Sequence, residues 1–303
     1  MNTVFWGYVF AIISSLFSGI YVVPRKLSKL PAITYAMVMG LGNFAIAIIG
    51  YALFTAIGFI NEPLFFNKVA LACVNGVIWM IASVSVLSSI DRIGLAKSNQ
   101  WKSLQGPIGA ALMLTFYSEY LTAKVVFILL AMGCITLAAI MFSTPEKNNA
   151  PVDKKGIAYA VIAAIFYGIS ALIKKTVTNE GILFAQQIYS SFVVFISAAV
   201  FVAYKAVFKK KPSGLNTPKI AKEIILPVIG GVLFYGNASF NVLAYSCIEG
   251  SIAAMLHQLN AIWLFLLGVF IFKEIEFGKY WARLATGLAL SAVGVVMLIL
   301  AKV

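Results

Sequence analysis

Leu16-Phe17-Ser18-Gly19-Ile20, followed by Arg25-Lys26, returns 149 residues later as Ile165-Phe166-Tyr167-Gly168-Ile169, followed by Lys174-Lys175. In each copy a Lys stands seven residues after the Gly, with a second base just before it. A second pair of stretches, Gly76-Val77-Ile78-Trp79 and Gly231-Val232-Leu233-Phe234, matches at an offset of 155, the extra residues falling in the basic stretch after Lys205. At that offset Lys102 stands opposite His257, Gln105 opposite Asn260, and Glu119 opposite Glu274. The chain therefore reads as two copies of one unit, 1–145 and 153–303, joined by a linker at 146–152.

Each unit is a run of apolar segments. Of the 303 residues 62% are apolar and 11% charged, against about 45–50% and about 25% in a soluble domain. So little polar material cannot cover a water-facing surface, and disorder would require low hydrophobicity. A bilayer crossing needs about 20 apolar residues. Ten runs meet that need, at roughly 4–23, 32–59, 69–90, 95–117, 122–143, 156–173, 181–204, 223–246, 251–272 and 281–301. The expectation is an all-α polytopic membrane protein of ten transmembrane helices. The first run is too long for a signal-peptide core and reads as a permanent span.

Five spans per unit is an odd number, so the second copy enters the membrane from the opposite side. The halves are then inverted repeats about an axis in the membrane plane, and a ligand site is expected near the midplane where they meet. The net charge of +13 fits this plan. Odd-numbered loops hold 17 Lys and Arg and even-numbered loops hold four, among them Lys174 and Lys175. That bias puts the odd loops in the cytoplasm and both termini outside, as in a multi-pass protein of a bacterial-type inner membrane. The densest segment, Lys205 to Lys222, reads as a loop touching anionic lipid. It lacks the interleaved aromatics that nucleic-acid stacking requires, so no nucleic-acid partner is expected.

Polar residues inside the spans mark the expected site. On the fourth span Ser98, Asn99, Lys102, Gln105, Gly106 and Gly109 share about a third of the helix circumference. A central Lys costs roughly 2.5–3.5 kcal/mol of insertion free energy. Lys102 therefore either faces a cavity or snorkels to the headgroups. Pro107 removes a backbone donor and can leave a carbonyl open to a ligand. The ninth span carries His257, Gln258 and Asn260, of which His257 and Asn260 share a face. His257 is the only histidine and can carry protons near neutral pH, which opens proton or ion coupling. Asn237 and Asn241, with Phe234, lie on one side of the eighth span, and Asn75 and Trp79 on one side of the third. Amides in spans either bind ligand or bridge helices. Asn43, Gln186 and Gln187 are weaker candidates of the same kind. Tyr21, Tyr167 and Trp6 stand near span ends and are expected at the interface. Ala285 and Ala289 on the tenth span suit either a homodimer seam or internal packing.

Several chemistries are excluded. The ten acidic residues all fall at span ends or in loops, without the mid-span carboxylate expected of a carrier for bulky cations. Cys73, Cys134 and Cys247 lie in apolar runs, with no metal-site spacing. There is no P-loop, no HExxH and no triad set. No enzyme activity, metal or cofactor is expected.

The recurring aromatic-x-Gly with Lys seven residues on, and Pro107 leading to Glu119, resemble the first- and fourth-helix signatures of the drug/metabolite transporter superfamily in its ten-span EamA-like form. The likeness covers nearly the whole chain, and the glucose/ribose porter branch is a further one that no single motif carries. Ser18 and Tyr167 stand where the family has Trp before the first-helix Gly, and the second half keeps Glu274 without the Pro. The resemblance implies a secondary carrier of a small metabolite and does not fix the substrate; the expectation here is alternating access, with a sugar or sugar-like polyol and an amino acid or similar metabolite as competing substrates. A membrane sensor or scaffold that moves nothing is the alternative.

Overall fold

The computed structural model describes residues 3–121, 123–142, 153–208, 220–270 and 277–302, and the described residues form helices and no strands. The expected linker at 146–152, Glu274 and the cluster Lys209 to Lys211 lie outside them. The first half runs α1 (Thr3–Ile20), α2 (Val23–Leu27), α3 (Ala32–Ala56), α4 (Val69–Lys102), α5 (Gln105–Phe116) and α6 (Val125–Phe142). The second runs α7 (Lys154–Thr178), α8 (Ala185–Phe208), α9 (Ile220–Cys247), α10 (Gly250–Leu256), α11 (Asn260–Phe270) and α12 (Phe277–Lys302). Many large apolar side chains point outward, among them Val126, Leu129 and Leu130. In water that would be costly; against lipid it is the expected solvation.

Nine stretches among the described residues are long and apolar enough to cross a membrane, rather than ten. The chain reads as a multi-pass integral membrane protein on that ground. The missing one is the fourth run, 95–117. It is helical but broken at Ser103-Leu104, between the end of α4 and α5. Pro107 supplies the reason: the N–H that would bond Ser103 O does not exist. The backbone tightens there instead, with Leu104 N donating to Trp101 O (3.3 Å) and Gly106 N to Ser103 O (3.4 Å). Upstream, the third and fourth runs are separated only by Gly94, at φ 79° and ψ 166°, a conformation open to glycine. The ninth run breaks too, in a 3-10 turn over His257–Leu259 between α10 and α11. At the 155 offset this turn falls on Lys102–Leu104, so both breaks share one register.

The helix contacts fall into pairs related by the two sequence offsets. α4 packs on α7 and α1 on α9; α3 packs on α9 and α4 on α8; α5 packs on α7 and α1 on α11. α3 against α8, α6 against α12 and α5 against α10 complete the bundle. Two glycines from the opening motifs make the close approaches possible. A Cβ on Gly19 would meet Trp263 Cβ at 2.7 Å, and one on Gly168 would meet Ile108 Cγ2 at 2.6 Å. Gly19 and Gly168 correspond at the 149 offset, Ile108 and Trp263 at the 155 offset.

Two glutamates tie helix starts to the opposite half. Glu119 accepts from Gly250 N (2.8 Å) and Ser251 N (3.0 Å) at the head of α10. Glu62 accepts from Leu183, Phe184 and Ala185 N (2.5, 2.7 and 3.3 Å) at the head of α8. A carboxylate there satisfies open backbone donors and meets the positive end of the helix dipole. Burial still pushes the Glu62 carboxyl above the ordinary 4.5, against the lowering pull of those three N–H groups.

Candidate functional site

α1, α4, α5, α7, α9 and α10 enclose a cavity of about 60 Å³, with residues of both halves in its wall. At roughly 10–15 Å³ per water it has room for a handful of water molecules. Seven of the ten residues singled out in the sequence line it: Trp79, Lys102, Gln105, Phe234, Asn237, Asn241 and His257. The other three lie elsewhere. Asn75 lines an adjoining cavity of about 30 Å³ that shares Trp79, Lys174 and Phe234. It also bridges helices, accepting from Ser170 Oγ (2.7 Å) and donating to Ser190 Oγ (3.3 Å). Asn260 donates to Ser18 Oγ (3.1 Å), joining α11 to α1. Asn99 is buried in α4 away from the cavity wall.

Four further residues line the cavity, three of them against expectation. Tyr21 and Tyr167 are not interfacial anchors. Tyr21 is 6% exposed, and the Tyr167 hydroxyl lies 3.0 Å from Ser83 Oγ. Both rings sit beside the Lys102 ammonium, 6.0 Å and 5.6 Å from centroid to Nζ. Lys174 is not in a loop, because α7 continues to Thr178 instead of ending near 173. Its Nζ lies 5.7 Å from the Phe234 ring centroid. Gln258, the fourth, closes the broken helix. Its Nε2 donates to Ser103 O (3.2 Å), while its Oε1 accepts from Gln105 Nε2 (3.2 Å) and Gly106 N (3.0 Å). The carbonyl that Pro107 releases is thus taken by a side chain of the other half, not left open to a ligand.

Lys102 does not snorkel: it is 4% exposed and turned into the cavity. The walls beside it are aromatic. Trp79 and Phe234 touch at a centroid distance of 4.3 Å, and Tyr21 meets Phe234 edge-on at 5.3 Å. His257 Nε2 lies 3.0 Å from Asn237 Oδ1, which also accepts from Ser14 Oγ (2.9 Å). With Oδ1 as acceptor, His257 donates through Nε2 and its other ring nitrogen carries the lone pair. The lining as a whole offers ammonium, amide and hydroxyl donors on one side and flat rings on the other. Such a wall orients a small polar molecule by directional bonds and apolar contact. Among the described residues no three His, Cys, Asp or Glu gather as a metal site.

No family model matches the chain, and no curated protein matches it. Solved structures do. One, described only as "Crystal structure of protein", superposes with a TM-score of 0.71 over 99% of this chain and 98% of that chain, at 13% identity. At that identity the likeness is one of fold.

Proposed function

We propose that this chain is a secondary transporter of a small polar metabolite, a carrier of the drug/metabolite transporter type. In this reading the broken helix of the fourth run is a tenth crossing, and the halves are inverted five-helix repeats that rock about the cavity in alternating access. Both termini face outside, as the Lys and Arg count suggests. The observation that carries the reading is the placing of a polar, Lys-containing cavity between the halves, beside two helices broken at one register. Discontinuous helices flanking a midplane site are how carriers expose backbone and side-chain groups to a ligand. A sugar or an amino-acid-like compound fits the lining, with Trp79 and Phe234 as walls and Lys102, Gln105, Asn237 and Asn241 as bonding groups. His257 stands at the wall where a coupling proton would be carried.

The test is access from both faces. Gln105→Cys in a background lacking Cys73, Cys134 and Cys247 is expected to react with membrane-impermeant thiol reagents added to either side of oriented vesicles. Reaction from neither side would favour a sensor or scaffold that moves nothing. Counterflow of labelled sugars and amino acids in proteoliposomes then reads transport directly.

A further inference from the structure

Lys174 gives the cavity a second cation. It lines the main cavity together with Lys102 and the adjoining one with Asn75. The residues of the main cavity include no Asp or Glu. Among the described residues, neither ammonium makes a hydrogen bond or an ion pair; their neighbours are the faces of Tyr21, Tyr167 and Phe234. Ring faces offer a cation partial compensation, well short of what a carboxylate gives. The chain elsewhere completes this very arrangement. Arg25, the counterpart of Lys174 at the 149 offset, is held by Asp91 at 2.6 Å and by Leu30 O at 2.6 Å. At the 155 offset the counterpart of Asp91 is Ser246, which carries no charge. One half thus neutralises its cation internally. The other leaves it facing a cavity that holds a second one.

Two like charges sharing a low-dielectric space repel, and each lacks full hydration. A ligand bearing negative charge removes both costs together. We propose that the cavity binds a small organic dianion, a dicarboxylate or a phosphate monoester. Its charged groups lie between Lys102 and Lys174 and its uncharged part lies against Trp79 and Phe234. This rests on the transporter reading for the fate of the ligand, but not for its binding.

The experiment uses the full chain purified in detergent. Thermal unfolding and titration calorimetry compare succinate with succinamide, and glycerol 3-phosphate with glycerol; inorganic sulfate is the control for plain anion binding. The expected result is a rise in unfolding temperature with one or both organic anions and none with the neutral partners. Which anion acts separates carboxylate from phosphate. Lys174→Gln and Lys102→Gln are each expected to weaken that binding at least about tenfold. Lys174→Arg should retain most of it, and unchanged gel filtration would show that the variants fold. Equal response to the neutral partners, equal response to sulfate, no response to either organic anion, or wild-type binding by Lys174→Gln would each overturn the proposal. Counterflow in proteoliposomes keeps the two readings apart. Binding without counterflow of the same anion leaves the anion site standing and removes transport of it. Counterflow of a neutral sugar or amino acid, with no anion bound, does the reverse.

Discussion

Trp79 and Phe234, 155 residues apart in the sequence, touch in the folded chain, ring centroids 4.3 Å apart at 46°. Residues exchanged by a two-fold axis can meet only on that axis. The same holds for Ser103 and Gln258, a second corresponding pair, joined by a 3.2 Å hydrogen bond. On the inverted-repeat reading these two contacts mark the axis, and Trp79, Phe234 and Gln258 line the cavity together with Lys102.

The aromatic pair is therefore expected to act as a unit. Trp79→Ala and Phe234→Ala each remove a ring that is 4% and 6% exposed, at a cost of about 3 kcal/mol apiece. A double-mutant cycle read by denaturant unfolding in detergent should show coupling of about 0.5–1.5 kcal/mol. Strict additivity would mean that the rings merely adjoin.

Glycine substitutions should sort by what a new methyl group meets. At Gly231 a Cβ runs into the backbone of α3, Met39 O and Asn43 N, and backbone cannot swing aside. Gly231→Ala is expected to cost about 1–3 kcal/mol as the helices are forced apart. Gly133, within α6, has nothing within 4 Å of its Cβ position. Gly133→Ala should be neutral or stabilising by up to about 1 kcal/mol, since Ala is the better helix former. Similar melting temperatures for the two variants would contradict the packing described.

Gln258 should matter more than its neutral amide suggests. Gln258→Ala leaves Ser103 O without its partner from the other half and removes the acceptor for Gln105 and Gly106. The expected loss is about 1–3 kcal/mol, the usual cost of stranding buried polar groups. Ligand binding should weaken with it, because Gln105 and Lys102 flank the break. An unchanged melting temperature would show that water replaces the amide.

Glu62 supplies a dependence on pH. Its carboxyl sits above the ordinary 4.5, chiefly through burial. The folded state then holds the proton more tightly than the unfolded one, so the contribution is full below about 4.5 and is lost as pH rises through the folded value. Glu62→Gln should remove that part of the decline in stability above pH 4.5. A variant curve parallel to the wild type across this window would show that the group does not titrate as described.

Much of this was legible in the chain, and for identifiable reasons. Hydropathy runs report crossings because lipid tolerates only internally bonded backbone, which accounts for nine of the ten runs. The tenth was altered by one residue: Pro107 acts four residues upstream, on Ser103, and breaks the helix there. No Pro stands at the matching place in the second half, where Ile262 lies, yet the helix breaks at His257–Leu259 all the same. No proline accounts for that break, and the turn packs against α1 and α6.

The sequence by itself determined the helical, apolar plan and the polar stripe of Lys102 and Gln105, because periodicity states which residues share a face; the matching offsets of 149 and 155 suggested a repeat. It does not state which faces meet. Only the folded chain placed Tyr21, Tyr167 and Lys174 at the cavity, turned Gln258 onto the Ser103 carbonyl, and drew Asn99 and Asn260 away from the cavity wall. Those outcomes depend on how far α7 extends, how each helix is rotated, and where the glycines let α1 and α7 close on their neighbours.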